Sequence, residues 1–97
     1  MQCSIPKKNI GNSDVFLRRA GYGLHQSRGE KSFVKRLDAG NFPRLHLYVA
    51  EAGENITLNL HLDQKAPLYE GMTAHAGEYD GAVVEGEINR LKKIARV

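Results

Sequence analysis

Between Arg44 and Asp63 the chain alternates apolar and polar residues in two runs separated by Ala52-Gly53-Glu54-Asn55. This pattern constrains the fold more than any other stretch. Leu45, Leu47 and Val49 alternate with Arg44, His46 and Tyr48; Ile56, Leu58, Leu60 and Leu62 alternate with Thr57, Asn59, His61 and Asp63. A period of two belongs to a β-strand, so the segment reads as a hairpin with one buried face and one polar face. A four-residue loop that sets Glu51 opposite Ile56 keeps every apolar residue on one side. The same register places Tyr48 opposite Asn59, His46 opposite His61 and Arg44 opposite Asp63. A two-residue Ala52-Gly53 turn would preserve the faces but oppose Glu51 to Glu54, a like-charge pair that a sheet disfavours.

A half-buried hairpin needs a cover, and the C-terminal segment supplies one. From Asp80-Gly81 onward, Val84, Ile88, Leu91 and Ala95 recur at helical spacing, and Val83 and Ile94 widen the stripe. Glu85 and Glu87 lie near the start of this helix and Arg90, Lys92, Lys93 and Arg96 near its end, which complements the helix dipole. Upstream, Ser13 or Asp14 N-caps a short helix through Ala20, with Phe16, Leu17 and Ala20 as its apolar side and Gly21 and Gly23 as its stop. A strand starting at Val15-Phe16 is the alternative. Segments 22–28 and 32–37 read as strands around Gly29-Glu30, with Phe33, Lys35 and Leu37 alternating against Val34 and Arg36. The expected class is therefore α+β: an antiparallel sheet of three to four strands, covered on one face by an amphipathic C-terminal helix, with a short N-terminal helix.

At 97 residues the chain has the size of one domain, read here as 13–97 behind a flexible tail at 1–12 that contains Pro6, Lys7, Lys8 and Gly11. The tail lacks the apolar run of a signal peptide or a membrane span, so no membrane partner is expected. Cys3 is the single cysteine, which rules out an intramolecular disulfide and fits a reducing, cytoplasmic compartment. A net charge of +3, from 14 basic and 11 acidic residues, permits an anionic partner without specifying one.

Candidate chemistry gathers at the end of the hairpin and in the segment that follows. Residues 64–79 show no clear period, and a connection this long is uncommon in a small domain unless it has work to do. The segment carries Lys65, Tyr69, His75, Glu78 and Tyr79. On the strand before it, His61 and Asp63 share a face, and the expected pairing brings His46 and Tyr48 alongside. His46, His61 and Asp63, completed by His75, form a nitrogen and oxygen donor set suited to a divalent zinc, iron or manganese ion. Without metal, a histidine oriented by Asp63 or Glu78 becomes a general base, with Lys65 or Arg44 holding an anion, as in phosphodiester hydrolysis. No activated nucleophile stands out, since Ser27 and Ser32 flank a turn and Ser4 lies in the tail. The plainer alternative is that these side chains are the ordinary polar face of a two-sided sheet.

Two resemblances bear on this. Leu60-His61-Leu62-Asp63-Gln64-Lys65 followed by Ala74-His75-Ala76-Gly77-Glu78-Tyr79-Asp80-Gly81 resembles a pair of blocks in a group of small, uncharacterised prokaryotic proteins. The likeness covers roughly the C-terminal half, has serine in place of Ala76, and implies that both blocks serve one site. Leu17-Arg18-Arg19-Ala20-Gly21-Tyr22 followed by Arg28-Gly29 resembles the opening of HicA-type ribonuclease toxins, whose helix, antiparallel strands and helix follow the double-stranded-RNA-binding-domain order. The Gly-Ser-His block of that family would fall at Gly29-Glu30-Lys31, which has no histidine, so its catalytic role does not transfer.

The sequence thus points to a small domain that engages RNA or another anionic ligand through the polar sheet face and the 63–80 loop. Arg18, Arg19, Arg28, Lys31, Lys35 and Arg36 supply charge for that purpose, and Tyr48, Tyr69 and Tyr79 supply stacking surfaces. The rival readings are a metal-dependent or acid-base hydrolase built on the same cluster, and an adaptor that docks a protein partner on an exposed apolar patch.

Overall fold

The computed structural model describes residues 1–64 and 76–97, the backbone alone at 76–80. Its elements are β1 (Gln2–Pro6), α1 (Lys7–Ile10), α2 (Ser13–Arg19), β2 (Gly23–Ser27), β3 (Glu30–Arg36), β4 (Arg44–Ala52), β5 (Asn55–Asp63) and α3 (Ala76–Ile94). The α+β class expected from the alternation is the one found, with five strands rather than three to four, in the order β1-β5-β4-β3-β2, every neighbouring pair antiparallel.

The fifth strand is β1, where a flexible tail was expected. Cys3 pairs with Leu58 and Ile5 with Ile56, and both side chains are buried. Gln2, Cys3, Ser4 and Ile5 do alternate polar with apolar, but a run of five residues ending in Pro6 is too short to be read as a strand on pattern alone. Asn9 then ties the adjoining turn to the far end of the domain, its side-chain amide donating to the Ala95 carbonyl at 3.0 Å.

The β4–β5 register matches the alternation pair for pair, with Glu51 opposite Ile56, Tyr48 opposite Asn59, His46 opposite His61 and Arg44 opposite Asp63. The ladder closes one pair further, at Ala52 and Asn55, so Gly53-Glu54 makes a two-residue turn. Gly53 sits at φ +62, the left-handed backbone that a tight hairpin requires at its first central position. In the β2–β3 hairpin Ser27 pairs with Glu30, which moves the turn to Arg28-Gly29, both at positive φ (54 and 79).

Helix α2 is capped by Asn12, whose side-chain oxygen accepts from the Val15 amide at 3.0 Å, rather than by Ser13 or Asp14. Its buried residues, Phe16 and Leu17, are the expected ones. Helix α3 begins at Ala76, four residues before the expected start at Asp80, so Gly77 and Gly81 lie inside it. Val84, Ile88 and Leu91 of α3 share one core with Leu45, Leu47, Leu58 and Leu60 of the hairpin. Phe16 and Leu17 of α2 belong to that core as well, and Ile10 of α1 packs against it. The helices therefore cover one face of the sheet. On the other face the described side chains stay exposed or half-buried, with one exception, Ser32.

Candidate functional site

The open face is organised by strand register. Pairing sets His46 between Val34 on β3 and His61 on β5, and sets His25 on β2 opposite Ser32 on β3. Side chains one pleat apart on the same face are close enough to bond diagonally. His46 uses this twice, its Nδ1 lying 2.7 Å from Oδ2 of Asp63 and its Nε2 2.7 Å from Oγ of Ser32. A carboxylate only accepts, so Nδ1 carries the proton, and in the neutral ring Nε2 accepts from the Ser32 hydroxyl. Ser32 also has the His25 carbonyl at 3.3 Å. A protonated His46 would donate to Oγ while the hydroxyl turned to that carbonyl, so the cluster satisfies its hydrogen bonds with His46 in either state.

Asp63 is flanked by Arg44, whose Nε lies 3.5 Å from the same Oδ2 without the alignment of a hydrogen bond, and the Arg44 guanidinium stands over the Phe42 ring at 4.7 Å. The His46 ring stacks on Tyr48 at 4.7 Å and meets His25 edge-on at 5.7 Å; Tyr48 in turn meets His61 edge-on at 5.9 Å. Four rings from β2, β4 and β5 thus form a connected band across the open face. Beside it, a hollow of about 350 Å³ is lined by Gly21, Gly23, Val34 and Asn41 and by the three cations Lys35, Arg36 and Arg44. A larger hollow of about 690 Å³ lies at the opposite end of the hairpin, between Lys7, Lys8 and the Gly53-Glu54 turn, and includes none of the rings.

Of the residues singled out in the sequence, His46, Tyr48, His61 and Asp63 share this face. Lys65, Tyr69 and His75 lie outside the described residues, as do the side chains of Glu78 and Tyr79, so the expected convergence of the two blocks lies there too. Among the described residues no group of three or more His, Cys, Asp or Glu side chains is arranged to hold a metal ion. Asp63 bonds to His46, and His61 meets the Tyr48 ring edge-on. No described helix is long and apolar enough to cross a membrane. The exposed large apolar side chains among the described residues are Met1, Val15, Leu24, Leu37, Phe42, Ile94 and Val97.

Ser32 is the residue sequence reasoning missed. It lies inside a strand rather than at a turn, and it is 3% exposed. Its partnership with His46 depends on the β3–β4 register, which segment 37–43 sets and no alternation rule fixes.

A second polar cluster lies behind the sheet. Glu87, placed by sequence among the dipole-complementing surface acids, is 8% exposed. It accepts from Tyr22 at 2.6 Å and from Arg90 twice at 2.8 Å, while Lys35 stands 3.8 Å away. Burial alone would raise the Glu87 pKa; the hydrogen bonds from Arg90 and Tyr22 and the charge of Lys35 outweigh it and hold the carboxyl below its ordinary value. Burial and the hydrogen bond to that carboxylate keep the Tyr22 hydroxyl protonated far beyond the usual range. Arg90 also donates to the Ala20 carbonyl at 2.7 Å, so the cluster clamps α3 to the end of α2 and reads as structural. Burial likewise pushes the Cys3 thiol up, against the nearby charge of Lys92, as expected of an inert rather than a nucleophilic cysteine.

Comparison with known protein families, with curated proteins and with solved structures finds no match, so the site is read from its own geometry.

Proposed function

We propose that the open sheet face binds single-stranded RNA. The observation that carries this reading is the band of four rings, His25, His46, Tyr48 and His61, together with a hollow lined by the Arg36 and Arg44 side of the same face. Bases stack on aromatic faces whatever their identity, and phosphates seek clustered cations, so an open sheet with both is suited to an unpaired strand. A duplex would hide its bases and leave the rings without a role. On β3, Val34 and Arg36 share the open face, and both line the hollow with Arg44 of β4.

Titration of untagged protein into a labelled single-stranded RNA at two salt concentrations tests the reading. Expected is weak binding with little sequence preference that drops steeply as salt rises, because displaced counterions supply much of the affinity. Absence of binding at low salt, or tight binding that ignores salt, would overturn it.

A further inference from the structure

We infer that Ser32, His46 and Asp63 form a nucleophile, a general base and a positioning carboxylate that hydrolyse carboxylic esters at the open sheet face. Nε2 of His46 lies 2.7 Å from Oγ of Ser32, and Nδ1 lies 2.7 Å from Oδ2 of Asp63. Each ring nitrogen faces the partner that serine hydrolases give it: the base nitrogen toward the hydroxyl, the protonated nitrogen toward an acceptor that fixes the tautomer. A half-buried histidine satisfies both ring nitrogens in any case; what is particular here is that the two partners are a hydroxyl and a carboxylate. This arrangement arises from three separate strands, β3, β4 and β5.

The chemistry balances with water as the only co-reactant. Oγ of Ser32 attacks the ester carbonyl carbon as its proton passes to Nε2 of His46. The bond from the carbonyl carbon to the alcohol oxygen breaks, and the leaving alcohol takes the proton from Nε2. Water then adds to the acyl-serine, His46 removes its proton and returns it to Oγ, and the free acid leaves. Asp63 positions the ring throughout and holds the imidazolium when it forms.

Carboxylic esters suit this set better than phosphodiesters. Among the described residues no cation is bonded to Ser32, whereas phosphoryl transfer spreads charge over several oxygens that cations must meet. A carbonyl develops one oxyanion, which a single side-chain donor can meet, and the hydroxyl of Tyr48, whose ring stacks on His46 at 4.7 Å, is the group on this face suited to that role. A side-chain donor in place of a rigid backbone pair implies slow turnover, since one oxyanion donor contributes about 10²–10³ in rate. Ser32 is 3% exposed, so reaction waits on a half-buried neighbour such as His25, on the edge strand β2, turning aside.

The inference stands apart from the RNA reading, and its test uses neutral probes so that the two succeed or fail separately. Folded wild-type protein is incubated with a fluorophosphonate, and the adduct is located by peptide mass mapping; hydrolysis of p-nitrophenyl acetate is followed in parallel. Expected is a single adduct on Ser32, lost in Ser32→Ala and retained in Ser27→Ala, with ester hydrolysis falling at least tenfold in Ser32→Ala and His46→Gln. Asp63→Asn is expected to lower the labelling rate at neutral pH and to change its pH profile, which a merely structural role would not do. The groups around His46 that shape this profile are Asp63, Arg44, His25 and Tyr48. No adduct on Ser32 of the folded chain at millimolar probe, or an adduct elsewhere with hydrolysis unchanged in Ser32→Ala, overturns the inference. Because the site of labelling is read on the wild-type chain, a variant that fails to fold does not blunt the test.

Discussion

The hydroxyl of Tyr22 donates a 2.6 Å hydrogen bond to Oε2 of Glu87, 65 residues further along the chain. Through it the loop leading into β2 is joined to the middle of α3, and Arg90 and Lys35 complete the charge around the carboxylate. The polar strut fixes how α3 sits on the buried face.

The strut makes stability sensitive to acid. Glu87 is held below its ordinary carboxyl value in the folded state, so the folded protein binds this proton less readily than the unfolded chain does. Its contribution is fully present above the unfolded value and is lost as pH falls through the folded one. Glu87→Gln should therefore cost about 1–3 kcal/mol at pH 7, toward the lower end because Arg90 keeps a 38% exposed side chain. It should also flatten the dependence of stability on pH below about 4.5, the ordinary value for this group. Urea melts of both proteins from pH 7 to pH 3 check this; parallel curves for wild type and variant would show that Glu87 carries no such load.

Truncation in the core tests the sheet from both sides. Leu60 on β5 and Ile5 on β1 are each fully buried. Leu60→Ala and Ile5→Ala should each cost roughly 2–5 kcal/mol, since a cavity is left where packing was dense. The Ile5 change carries the sharper information, because a flexible tail would lose nothing. A thermal melt of Ile5→Ala that matches wild type would return β1 to the status of a tail.

How much of this was legible in the sequence depended on how many residues carried each signal. The β4–β5 hairpin has seven inward apolar positions in two runs, so a slip of one residue would expose them all, and register followed from pattern. The same register announced that His46, His61 and Asp63 share a face. Nothing local announced Ser32, because its meeting with His46 depends on how residues 37–43 return the chain to the sheet. Glu87 misled for a related reason: a glutamate early in an amphipathic helix fits the dipole rule, and Tyr22, brought in by tertiary structure to join Arg90 of the same helix, makes it a buried partner.

Two substitutions on the open face separate charge from stacking in the proposed RNA contact. Arg36 is exposed and lines the cationic hollow, so Arg36→Gln should weaken binding uniformly across sequences and reduce the salt slope by about 1. Tyr48→Ala should cost about 1–3 kcal/mol of binding while leaving the salt slope unchanged. Fluorescence anisotropy over a salt series reads both quantities. Equal effects from the two changes, or none, would mean that RNA lies elsewhere.

The turn between β2 and β3 offers a stabilising change that also serves as a control. Arg28 holds φ at +54 and Gly29 at +79, the pair of left-handed residues that a two-residue hairpin turn of this hand requires. A glycine adopts that backbone without strain, whereas an arginine's Cβ crowds the following carbonyl. Asparagine tolerates the same conformation, because its short polar side chain can bond locally to the backbone. Arg28→Asn should therefore raise stability by about 0.5–1 kcal/mol, measured by urea denaturation, even though it removes one positive charge. RNA affinity should fall only slightly, since Arg28 is not among the residues lining the hollow. A loss of stability in Arg28→Asn would mean that the arginine side chain makes a contact that outweighs its backbone strain, and a large loss of RNA binding would move the anionic contact from the hollow to this turn.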